Sequence, residues 1–163
     1  MKKVIIGLGV ALLAFGAMGC SKDKKPKAVA GPAGEELQQL EAKYQRQDPS
    51  APNGSDLTCK YISIQGAGGS YTMSRAEVKT TGQCNWGDLQ SKAATAGAIS
   101  ASQAAQIVAS IAAANPAPSV NDKWNCTTYN VVSNARRGGV QDCADGSGNG
   151  QAVGTTITQI LGL

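Results

Sequence analysis

Apolar and polar positions alternate along this chain with two different periods, and the switch between them predicts the elements. Ala33, Leu37, Leu40 and Tyr44 recur at four- and three-residue spacing, which predicts a short amphipathic helix over residues 32–47 with a narrow apolar seam. Pro32 suits its first turn, Glu35 and Glu36 complement the positive end of its dipole, and Lys43 and Arg46 the other end. Such a helix either packs on its own domain or serves a partner, because two heptads are too few for a free coiled coil. The run Asp48-Pro49-Ser50-Ala51-Pro52-Asn53-Gly54-Ser55 then breaks the pattern and marks a linker. Residues 57–65 (LTCKYISIQ) are rich in β-branched and aromatic side chains and read as a strand. Gly66-Ala67-Gly68-Gly69 is a turn, and residues 70–79 return as a second strand. That turn lacks the lysine and the spacing of a phosphate-binding loop, so a hairpin is the simpler reading.

Residues 88–114 are the most alanine-rich stretch. They read as two helices, the first capped by Asp88, with a weak joint near Gly97 and a second start at Ser100 or Ser102. Ser100-x-x-Gln103 has the form of a capping box. Ala104, Ile107, Val108, Ile111 and Ala112 then fall on one face. Asn115-Pro116-Ala117-Pro118 ends that helix. Residues 124–133 (WNCTTYNVVS) form a further strand, 134–139 a turn holding Arg136-Arg137, and 140–143 a short return. Residues 155–163 are apolar without a decisive period. The expected fold class is α+β: a small disulfide-stabilised domain over residues 56–163, with antiparallel hairpins and an alanine-rich helical segment. The amphipathic helix and linker of residues 32–55 precede it.

The N-terminus has its own pattern. Met1-Lys2-Lys3 is basic, and residues 4–15 are nearly unbroken apolar, shorter than the about 20 residues a bilayer span needs. Ala17-Met18-Gly19-Cys20 follows. Here the sequence resembles a bacterial lipoprotein precursor. That resemblance implies removal of residues 1–19 as a signal peptide. It also implies acylation of Cys20 and, from Ser21 behind it, sorting to the outer membrane. Residues 20–31, with Lys22, Lys24, Lys25, Pro26 and Lys27, would then be a solvated basic tether. Ala17-x-Gly19 also suits an ordinary signal peptidase, which would release a soluble protein. Cysteine parity favours the anchor: of five cysteines, four can pair, and the odd one is Cys20 at the cleavage point.

Composition narrows the rest. The chain has 163 residues and a formal charge of +4. The lysines of the signal and tether supply all of that excess, leaving the chain from Val29 onward at −1. A nucleic-acid footprint is therefore not expected. There is no histidine, which removes the His-based catalytic triads and zinc sites. Much of the 42% hydrophobic content is alanine, so the core is thin and needs covalent help. Cys59, Cys84, Cys126 and Cys143 are expected to form two disulfides in an oxidising compartment. Cys59–Cys84 with Cys126–Cys143 is favoured over the crossed pairings because both close short segments.

The remaining candidate chemistry is modest. Asp145, Ser147 and Asn149 are spaced like the opening of a calcium loop, with Asp142 nearby, but Thr156 stands where the closing glutamate belongs. A plain polar loop is the simpler reading. Arg136-Arg137 could grip an anion or be a solvated turn pair. Trp86 and Trp124 each lie two residues from a cysteine, to pack a disulfide or to offer a sugar-stacking platform. No cofactor is implied. The expectation is a non-enzymatic, outer-membrane-anchored lipoprotein of the cell envelope. It would face either the periplasm or the exterior, bound to the membrane by its acyl chains and to an envelope protein or glycan as partner. The alternative is an envelope hydrolase working without histidine, its site assembled only in the fold.

Overall fold

The structure, a computed structural model, describes residues 34–48 and 56–163. The signal segment, Cys20, the basic tether, the first residues of the expected helix and most of the linker lie outside the described residues. The elements run β1 (Leu37–Gln47), β2 (Leu57–Ala67), β3 (Ser70–Thr80), α1 (Trp86–Lys92), β4 (Ala94–Ile99), α2 (Ala101–Ala113), β5 (Cys126–Ser133), β6 (Arg137–Cys143) and α3 (Gln151–Leu161). The strands form a six-stranded sheet in the order β4-β3-β2-β1-β5-β6, antiparallel at every pairing. The result is a small α+β domain.

The largest departure from the sequence reading is the segment expected to be a helix. Residues Leu37–Gln47 are a strand, paired with β2 on one side and β5 on the other, and so lie at the centre of the sheet. From Leu40 to Gln45 the chain alternates apolar and polar, with Leu40 and Ala42 in the core and Glu41 and Lys43 on the opposite face. A bulge between Leu37 and Gln39 turns Leu37 to the same side as Leu40. Three residues then separate two core positions, as on a helix. Helix-favouring Gln, Glu, Lys and Arg completed the disguise, and tertiary pairing overrides their propensity.

The β2–β3 hairpin matches its prediction. Its two-residue turn uses Gly68 (φ +62°) and Gly69 (φ +82°), the positive-φ pair that suits the twist of the flanking strands. Residues 88–97 are not one helix. Asn85, rather than Asp88, caps α1 by accepting from the Asp88 amide at 3.1 Å. The chain then becomes β4, an edge strand whose only buried side chain is Ile99. With one buried position, it has no periodicity to read. α2 starts where expected: Ser100 accepts from the Gln103 amide, and the Gln103 side chain accepts from the Ser100 amide at 2.8 Å. Gly138 and Gly139 belong to β6 rather than to a turn, and residues 151–161 form α3.

The helices divide the two faces unequally. α2 and α3 cover one face, where Leu40, Ile62, Ile64, Tyr129, Val131 and Val140 meet Ile107, Ile111, Val153, Ile157 and Leu161. α3 comes close to the sheet because Gly154 lies against Asp142; a Cβ there would sit 2.6 Å from its carboxylate. The other face carries only α1, over a small cluster of Leu57, Cys59, Tyr61 and Leu89. The rest of that face is polar. Two disulfides, Cys59–Cys84 and Cys126–Cys143, lie at the end of the sheet where β1 finishes. The chain enters at the other end. There Gly34 accepts from the Asn134 side chain at 2.9 Å, and Glu36 accepts from the Gly68 amide of the β2–β3 turn.

Candidate functional site

The disulfide end of the sparsely covered face holds a cleft of about 300 Å³, lined by Gln45, Gln83, Cys84, Trp86, Asp122, Lys123 and Trp124. Each wall has a local cause. Gln45 lies near the end of β1, on the polar face, directly opposite Cys59 in the register. Cys59 is bonded to Cys84, which pins the connection after β3 and brings Gln83 and Trp86 to the same place. The third wall is the segment leading into β5. It ends at Asn125, whose φ of +57° is one asparagine tolerates. Asn125 is clamped on several sides: its carbonyl accepts from Arg46 at 2.7 Å and from the Ala144 amide at 3.1 Å. Its side chain accepts from the Gln47 amide at 3.2 Å. Trp124, one residue before, is thereby held out at the rim, 53% exposed.

The charges around the cleft largely cancel. The Lys43 ammonium lies 3.3 Å from both Glu41 and Asp122 and 5.9 Å from the centre of the Trp86 ring. Burial pulls the Lys43 pKa down, but Glu41 and Asp122 outweigh it and hold the group above its ordinary value. Glu41 also accepts from the Tyr61 hydroxyl at 3.2 Å. Burial and then that carboxylate push Tyr61 up to about 12. The Lys123 ammonium donates to the Ser147 hydroxyl at 3.3 Å. Gln45 differs from all of these. It is 8% exposed, and its amide has no hydrogen-bond partner among the described residues.

The structure thus brings together both tryptophans, which the sequence singled out separately, and adds Gln45, Gln83, Lys43 and Asp122, which it did not. Gln45 carried no signal, since one amide in a polar stretch looks like any other. Trp86 contacts the small apolar cluster beside Cys84; Trp124 stands at the cleft mouth.

Asp145, Ser147 and Asn149 hold their own loop in place. Asp145 accepts from the Ser147 amide at 2.8 Å, and hydrogen bonding to Ser147 lowers its pKa. Asn149 accepts from the Gln141 amide and donates to the Ala114 and Asn115 carbonyls, so its oxygen is turned to β6. Asp142 lies on the helix-covered face, paired with Arg46 at 3.2 Å. Arg136 and Arg137 also part company. Arg136 forks onto Glu35 with two contacts of 2.7 Å, and the Glu35 side chain is 2% exposed; Arg137 is exposed.

A polar cleft with two indoles, one free buried amide and internally paired charges is arranged to hold a ligand. It offers no uncommitted base beside a nucleophile. Comparison with family models, with curated proteins and with solved structures finds no match to this chain.

Proposed function

We propose that this chain is a lipid-anchored protein of the bacterial envelope that binds a partner without transforming it. The observation that carries the reading is the polarity of the domain. The chain enters the sheet beside Leu37, and the cleft opens around Gln45, eight residues further along the same strand, roughly 25 Å away at about 3.3 Å per residue. A domain tethered through Cys20 would hold its entry end toward the bilayer and its cleft away from it. Two or three acyl chains hold such a protein essentially permanently, at about 0.8 kcal/mol per buried methylene. The paired cysteines suit an oxidising compartment.

The test has two parts. Metabolic palmitate labelling of the expressed chain is expected to be lost on Cys20→Ser, with the protein moving from the membrane to the soluble fraction. A photo-crosslinking residue at position 124 is expected to capture an envelope component, and one at position 68, at the opposite end, is not. Labelling that survives Cys20→Ser removes the anchor; equal capture at both positions removes the directed binding role.

A further inference from the structure

We infer that the cleft between Trp86 and Trp124 is a saccharide site for an uncharged, N-acetylated glycan chain, with Trp124 as the stacking platform and the Gln45 amide as the polar reader. The inference rests on the binding role proposed above and names what is bound.

Three observations point to that chemistry. Gln45 is more than nine-tenths buried, lines the cleft, and leaves its amide unpaired. A buried polar group without a partner is costly, and an amide offers a donor and an acceptor together. Its natural complement has both as well, as an acetamido group or a pair of vicinal hydroxyls does. Trp124 exposes about half of its surface at the mouth, whereas the ammonium of Lys43 already occupies a place over the Trp86 ring. A pyranose presents an apolar face of C–H groups that covers an indole, with hydroxyls at its edge for Gln45 and Gln83. Finally, Lys43 is shared between Glu41 and Asp122, and Lys123 is turned to Ser147. A phosphate or sulfate would find no uncommitted cation, and a carboxylate would meet two acids. The cleft is at the small end for ligand pockets and open, which suits a short stretch of a longer chain.

Trp86 and Trp124 are the two tryptophans of the chain, so intrinsic indole fluorescence reports this cleft alone. Full-length mature protein in detergent micelles would be titrated with the β-1,4-linked N-acetylglucosamine tetramer, with the glucose tetramer and a sulfated glycan as comparison probes. The expected result is a saturable emission change with the acetamido probe, at least about tenfold weaker binding of the plain glucose probe, and none of the sulfated one. Trp124→Ala should weaken binding about tenfold or more, read by calorimetry because the reporter is altered. Gln45→Leu should do the same with an unchanged or raised Tm, since it removes an unpaired amide. Gln45→Glu is a second variant should the leucine disturb packing; it should also lose the probe. No binding of the acetamido tetramer, tighter binding of the sulfated glycan, or wild-type affinity in Trp124→Ala each overturns the assignment. If position 124 still crosslinks an envelope protein while the saccharides fail, the glycan falls and the binding role stands. If neither happens, both fall.

Discussion

The two faces of this sheet are held in different ways. Beneath α2 and α3 the solution is ordinary close packing: Ile62, Ile64, Ile107, Ile111 and Ile157 are fully buried against one another. Beneath α1 the apolar cluster is too small for that, and Cys59–Cys84 ties α1's leading connection to the sheet instead. A covalent tie needs few apolar neighbours, so it leaves room beside it, and the cleft occupies that room. The thin core anticipated from composition is thus concentrated on one face, and that face is the one with an open site.

The comparison can be broken most severely from the packed side. Ile107→Ala, at 0% exposure, should cost about 3 kcal/mol or more in denaturant unfolding, since it opens a cavity between α2 and the sheet. A loss below about 1 kcal/mol would mean the helices contribute little. Replacing Cys59 and Cys84 together by Ala should cost about 3 kcal/mol, from the freed loop of 25 residues. Its signature should be local. Amide exchange should quicken in residues 57–61 and 84–92 and leave Ile107 and Val131 protected, and cleft binding should be lost. Uniformly faster exchange would show that the two faces are a single cooperative unit.

Smaller changes sharpen the contrast. Ser100→Ala removes the reciprocal cap of α2 and should cost about 1 kcal/mol on the packed side, without altering the cleft. On the cleft side, Tyr61 supplies a pH signature. Its folded pKa of about 12 stands above the ordinary 10.0 because burial, and then Glu41, favour the neutral phenol. The folded state therefore holds that proton more tightly. This contribution is complete below pH 10 and disappears as the pH rises through 12. Tyr61→Phe should flatten stability over that window, and an unchanged alkaline profile would remove Tyr61 from the account.

Much of the fold was legible where burial is one-sided and regular. Ile62 and Ile64 against Tyr61 and Ser63 announce β2, and Ser100 with Gln103 announces α2. β1 was legible only in part: the alternation from Leu40 to Gln45 is present, but the bulge restores a helical interval between Leu37 and Leu40. β4 was illegible because an edge strand with one buried side chain has no contrast to display. The pairing of Cys59 with Cys84 and of Cys126 with Cys143 follows from short loops, yet the meeting of Trp86 with Trp124 does not. It depends on where the segment before β5 crosses the sheet, a tertiary fact without local trace. The carboxyl of Glu35 is similar: it looked like a helix-dipole partner and is instead gripped by Arg136, a hundred residues away along the chain.

The central place of β1 also governs the order in which this molecule can assemble. It leaves the ribosome before every other described strand, and one of its neighbours, β2, follows soon after. Its other neighbour, β5, begins only at Cys126, and Leu37 meets Ser133 across that seam. Nucleation must therefore await nearly the entire polypeptide, which makes folding slow and non-local. A chain of this kind stays threadable until its last third has been delivered.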